Sequence, residues 1–341
     1  MSKFGAAMPI EYKSLPKIEL HCHLDASVRV STVAELGRKI GLSLPTPLEP
    51  ALIAPECCID LADYLVRIDL ALEVLQHRDH LVRIAREIVE DLAADGTIYG
   101  EIRFAPQLHL RSGLTMQEVL DAVHEGLKQG EQQSGMKTGL IVCCLRHEPG
   151  ERSLEIAKLA VGNRDNVCAL DLAGDEARYI GAPHAEAFAL AKREGLRRTV
   201  HAGEAAGPES IREALDLLGA ERIGHGVRIT ESIELQDRAK AARLPLEMCP
   251  LSNVQTRAAN WLHEHPIDRL FRKGLHVTVN TDCRTVSFTT LTKEFERLES
   301  TFRWGAAEFH QCQRNSAEAA FVSDDVRAAL LRQLTAAKSA T

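Results

Sequence analysis

Short apolar runs alternate with amphipathic stretches along most of this chain. The β-like runs are 17–25 (KIELHCHLD), 98–106 (IYGEIRFAP), 137–145 (KTGLIVCCL), 167–174 (VCALDLAG), 198–204 (RTVHAGE), 222–226 (RIGHG), 244–250 (LPLEMCP) and 275–282 (LHVTVNTD). Stretches with helical spacing separate them, such as 116–133 and 209–220. Eight strands mostly divided by helices predict an α/β protein built as a TIM (β/α)₈ barrel. The interval from about residue 26 to 97 is too long for one crossover. It carries two or three helical patterns, among them 31–41 and 61–76. These predict a helical insertion after the first strand, either a lid over the site or extra packing. The stretch 304–341 is helical in pattern and is expected to pack on the barrel. The chain has no repeat, low-complexity segment or long linker, so residues 1–341 read as one catalytic domain.

Composition narrows the partners. The formal net charge is −7, with 45% hydrophobic and 26% charged residues. A nucleic-acid binder is usually basic, so a polyanionic partner is not expected. No stretch has the length of a signal peptide's apolar segment or a membrane span. Nine cysteines, with no Cys-x-x-Cys, read as free and mostly buried thiols in a reducing compartment, hence a cytoplasmic location.

Polar residues of metal-ligand type stand at the ends of the predicted strands. Side chains alternate along a strand, so His21 and His23 face one way and Cys22 the other. His201 ends a β-branched run, His225 stands between two glycines, and Asp282 ends the last strand. In a barrel these ends converge on one face. Taken singly, each has an ordinary alternative. The two strand-1 histidines could pair with each other, His201 could be a core histidine, Asp282 could cap a helix, and Glu204 could cap or face solvent.

The motifs PKIELHCHLD (16–25), LDLAGDE (170–176), TVHAGE (199–204), RIGHG (222–226), CPLSN (249–253) and NTD (280–282) together resemble the adenosine deaminase family. They occur in that family's order. The resemblance implies one Zn²⁺ held by His21, His23, His201 and Asp282. It implies that Glu204 protonates the purine ring and that His225, with Asp282, orients the attacking water. His23, Asp25, Gly174 and Cys283 would face the substrate: Asp25 at the ribose end, the Gly174 N–H at purine N3. The expected reaction is hydrolytic deamination of adenosine or deoxyadenosine to the 6-oxo nucleoside and ammonia. Zinc chemistry suits such a ligand set, because the ion makes water acidic enough to react near pH 7. Glu204 must then be held protonated by a shielded site.

Within that resemblance, free adenine or a 5′-modified adenosine such as aminodeoxyfutalosine is an alternative substrate. A nucleoside-binding zinc protein without activity is an alternative of another class, and a zinc hydrolase of amides or esters a third. The other zinc-deaminase signature, His-x-Glu with Pro-Cys-x-x-Cys, is missing. The fourth predicted strand carries no lysine to bridge two metals, which favours a single ion. Two positions depart from the family. Cys283 stands where a second aspartate is usual and is either a weak purine N7 donor or a packing residue. Ala26 replaces a common glycine. Arg103 reads as structural, and His263, His265 and His276 as unremarkable. The oligomeric state is not legible from the chain.

Overall fold

The structure, a computed structural model, describes residues 10–338. Eight parallel strands follow one another round a barrel: β1 (Lys17–His23), β2 (Thr97–Phe104), β3 (Lys137–Leu145), β4 (Ala169–Ala173), β5 (Arg197–Ala202), β6 (Arg222–His225), β7 (Pro245–Met248) and β8 (His276–Val279). The expected TIM barrel is therefore present. To within a residue, each strand lies inside one of the apolar runs. Several runs continue past their strand into a loop, and those continuations carry Glu204 and Asp282.

The barrel closes between β1 and β8 at their C-terminal ends. The His23 N–H donates to the Asp282 carbonyl, and the Asp282 N–H donates to the His21 carbonyl, both at 2.8 Å. Two backbone bonds thus pull Asp282 against the end of β1, with Asp282 in the left-handed region (φ 62°). Residue 225 has the same backbone sign (φ 61°). Non-glycine residues are rarely found there, and such conformations persist where the surrounding structure enforces them.

Five helices occupy the interval between β1 and β2: Val30–Lys39, Glu49–Leu52, Leu61–Leu65, Asp69–Val74 and Arg78–Ala94. The last packs against the helix Met116–Ser134 at very close range. A side chain at Gly126 would meet the Val82 carbonyl at 2.2 Å, and one at Gly130 would meet the Val89 side chain at 2.5 Å. The pattern over 61–76 forms two short helices rather than one. At the break, Arg67, Ile68 and Asp69 donate three residues back, to Tyr64, Leu65 and Val66. Leu61, Tyr64, Leu65, Ile68 and Leu72 nevertheless all line one cavity wall. At the other end of the chain, helices Ala306–Ala319 and Asp324–Lys338 pack beside β1 and β8. Residues 339–341 lie outside the described residues.

The barrel interior is ionic as well as apolar. Arg103 bonds Asp171 at 2.9 Å and Glu247 at 2.8 Å, and Arg222 bonds Glu247 at 2.6 Å and Glu101 at 2.5 Å. All of these groups are buried. Buried charges are tolerable only when paired and hydrogen-bonded, and here each arginine sits between two carboxylates. Among the described residues, no helix is long and apolar enough to cross a membrane.

Candidate active site

The strand ends bring His21, His23, His201, His225 and Asp282 together at the C-terminal face. Ligand atoms of His21, His201, His225 and Asp282 lie within 4.8 Å of one another. His23 joins them through its Nε2, 3.1 Å from His201 Nε2 and 3.4 Å from Asp282 Oδ1. Gly224 makes this convergence possible. A Cβ there would stand 3.1 Å from both the His201 backbone and the His21 ring.

His21, His201 and Asp282 are oriented from behind. His21 Nδ1 bonds Glu247 at 2.8 Å, which leaves its buried Nε2 without a hydrogen bond, 3.3 Å from Asp282 Oδ1. His201 Nδ1 bonds the Asp171 carboxylate at 3.0 Å, so its Nε2 lone pair faces the cluster. Asp282 Oδ2 accepts from Ser252 Oγ at 2.5 Å, which leaves Oδ1 turned inward. Burial holds the pKa of His23 well below the ordinary imidazole value and lowers that of His201 as well. Burial raises the Asp282 carboxyl, but the adjacent imidazoles more than offset this and hold it well below the usual range. Imidazole nitrogens turned inward beside one carboxylate, with His21, His201 and Asp282 braced from behind by Glu247, Asp171 and Ser252, are a donor set that fits zinc. The orphaned His21 Nε2 is what an ion at this point would satisfy.

Glu204 lies just beyond the cluster. Its Oε1 accepts from Thr256 Oγ1 at 2.9 Å, and its Oε2 stands 3.5 Å from His225 Nε2. Burial, helped by the charges of Asp282 and Glu176, pushes its pKa up to about 8. The loop that carries it is clamped. The Glu176 carboxylate accepts the backbone N–H groups of Gly203, Glu204, Ala205 and Ala206 at 2.6–3.1 Å. Gly203 has φ +71°, and a side chain there would strike Ile211 at 2.5 Å.

A cavity of about 490 Å³ opens over these groups. Asp25, Gly174 and Cys283 line it together with His23, His201, Glu204, His225 and Asp282. Every site residue singled out in the sequence except the fully buried His21 therefore borders one space. Asp25 is buried, which pushes its pKa up to about 6. Burial holds the Cys283 thiol far above its ordinary value, so it stays neutral against Tyr64 and Ala26. Gly174 stands at a backbone conformation that favours glycine. Its φ is +101°, while the nearest atom to an added Cβ, the Arg146 N, would be at an ordinary 3.5 Å. On the far side of Glu204 lies a second chamber of about 440 Å³, where Arg178, Arg228, Arg257 and Arg269 face Asp60, Asp175, Glu231 and Glu264.

Several supporting residues were missed in the sequence. Asp171 and Glu176 fall within the motif 170–176, and Ser252 and Asn253 within 249–253, but their partners are remote in the chain. Glu247 carried only the alternation of LPLEMCP as a signal. His265, set aside as unremarkable, is in fact buried against Asn253 with its Nε2 3.2 Å from Asn253 Oδ1.

The adenosine deaminase family model matches residues 16–337. This chain belongs to the adenosine deaminase family. An adenosine deaminase of Clostridium perfringens is 40% identical over 321 residues, covering 92% of this chain and 96% of that protein. Among solved structures, the adenine deaminase of Arthrobacter aurescens superposes with a TM-score of 0.89 at 29% identity, covering 94% of this chain and 98% of that one. The N6-methyl-AMP deaminase of Arabidopsis thaliana gives 0.87 at 28%, covering 97% and 99%. As a member of the adenosine deaminase family, the protein is a hydrolase acting on C–N bonds in cyclic amidines.

Proposed function

We propose that the protein is a zinc-dependent deaminase of adenosine and deoxyadenosine, releasing inosine or deoxyinosine and ammonia. The observation that carries this reading is the buried Glu204, its pKa pushed up to about 8, lining one cavity with the histidine–aspartate cluster. His21, His23, His201 and Asp282 would hold the ion. When bound, zinc supplies Lewis acidity that makes water reactive near neutral pH. Glu204 then donates its proton to the purine ring nitrogen beside the amino-bearing carbon as that carbon becomes tetrahedral. Such a donation is worth about 10²–10⁴-fold in rate. His225 and Asp282 orient the attacking water, and the Gly174 N–H and Asp25 position the nucleoside. The short helices Leu61–Leu65 and Asp69–Val74 wall the cavity and exclude solvent.

Charge separates the substrate alternatives. The 490 Å³ cavity is lined by Asp25, Asp69 and Asp175 and by no lysine or arginine. A 5′-phosphate or carboxylate would meet like charge there without a fixed cation. This disfavours a nucleotide and aminodeoxyfutalosine. The cavity is also larger than a bare purine fills, which disfavours free adenine. The test is a panel of adenine, adenosine, deoxyadenosine and AMP, followed by loss of 6-aminopurine absorbance. The two nucleosides are expected to give the highest kcat/KM. Preference for AMP or adenine would overturn the assignment.

A further inference from the structure

A chain of four buried groups ends at His225, and its polarity can be read without seeing a hydrogen. It begins at the Ile267 backbone N–H, which only donates and lies 3.2 Å from His265 Nδ1. That nitrogen is therefore the acceptor, and the His265 proton sits on Nε2. His265 Nε2 is 3.2 Å from Asn253 Oδ1. The same oxygen accepts from the Cys249 backbone N–H at 3.3 Å, a second group that only donates. The orientation of the Asn253 amide is thus pinned independently of His265. Its NH₂ is left facing His225 Nδ1 at 3.0 Å. An amide NH₂ only donates, so His225 Nδ1 is unprotonated and its proton lies on Nε2, the nitrogen facing the site. His225, Asn253 and His265 are all at most 2% exposed, so water does not compete for these bonds. Burial also lowers the His265 pKa to about 3, which keeps that ring neutral across the working range.

We infer that Asn253 and His265 are positioning residues that fix His225 as an Nε2–H donor toward the reacting centre. The inference deepens the proposed deaminase reading and rests on it. A ring that presents N–H holds the attacking oxygen by a lone pair. It neither ligates an ion through Nε2 nor accepts a proton there in the resting state. This separates His225 from His21 and His201, whose Nδ1 atoms face the carboxylates of Glu247 and Asp171 and whose Nε2 atoms turn into the cluster. Two tautomers, set from behind by an amide on one side and carboxylates on the other, thus divide one histidine cluster into a donor and ligands.

The test combines imidazole ¹⁵N NMR with steady-state kinetics on the full, metal-loaded chain. In the parent, His225 is expected to show a protonated Nε2 and a bare Nδ1. In Asn253→Asp the amide oxygen's partners are kept, but the second oxygen accepts, so the His225 proton should move to Nδ1. With the donor turned away, kcat should fall roughly 10²-fold or more, as expected of a wrong histidine tautomer. KM and metal content should stay within about twofold of the parent, since neither substrate nor ligands are touched. His265→Gln keeps an N–H for Asn253 Oδ1 and is expected to hold more activity than His265→Ala, which keeps none. A bare Nε2 on His225 in the parent would overturn the inference, as would parent-level kcat in Asn253→Asp with the proton on Nδ1. The NMR arm reads the tautomer whatever the substrate, so failure of the deaminase reading is distinguishable from failure of this one.

Discussion

Thr256 Oγ1 donates to Glu204 Oε1 at 2.9 Å, while the other carboxyl oxygen faces His225. This bond, with the charge of His21, pulls the Glu204 pKa down against the burial that pushes it to about 8. The acid works while protonated, so kcat/KM is expected to fall as pH rises through about 8. Thr256→Val removes the donor and should move that limb to higher pH. A pH profile of the two proteins decides it, and an unmoved limb would separate the limb from Glu204.

Cys283 offers a weak, neutral S–H on the cavity wall. If it contacts purine N7, the parent should prefer adenosine over 7-deazaadenosine, and Cys283→Ala should shrink that preference about 3–10-fold, the worth of one modest hydrogen bond. An unchanged ratio would leave Cys283 a packing residue beside Tyr64 and Ala26.

The Glu176 carboxylate gathers four consecutive backbone N–H groups under the loop that carries Glu204. Glu176→Gln replaces one acceptor oxygen with an NH₂ aimed at donors. Hydrogen bonds to charged groups contribute about 1.5–3 kcal/mol each, so a loss of at least about 2 kcal/mol in denaturant stability is expected. Activity should fall further than stability explains at temperatures where the variant is folded, because Glu204 is no longer held in place. A folded variant with parent kcat would show the clamp to be unnecessary.

Much of the site was legible because it is written at strand ends. Alternation in KIELHCHLD put His21 and His23 on one side, and the short apolar runs located β5, β6 and β8, hence His201, His225 and Asp282. Alternation says nothing, however, about partners brought together by barrel closure. Glu247 lies 226 residues from His21, and Asp171 and His201 meet across neighbouring strands. The His265–Asn253–His225 chain was invisible for the same reason: a histidine in a loop resembles any other until its neighbours are known. The stretch 61–76 reads as one helix because Leu61, Tyr64, Leu65, Ile68 and Leu72 stand at α-helical spacing, and the tighter winding at 67–69 leaves no mark in that apolar pattern.

The most direct measurement pairs metal analysis with turnover of adenosine in the parent and in Glu204→Gln. The expected result is about one zinc per chain in both proteins, with kcat reduced about 10²–10⁴-fold in the variant. Parent protein that turns over adenosine without stoichiometric metal, or a Glu204→Gln variant that keeps near-parent kcat, would contradict a metal-supported deamination driven by the Glu204 proton.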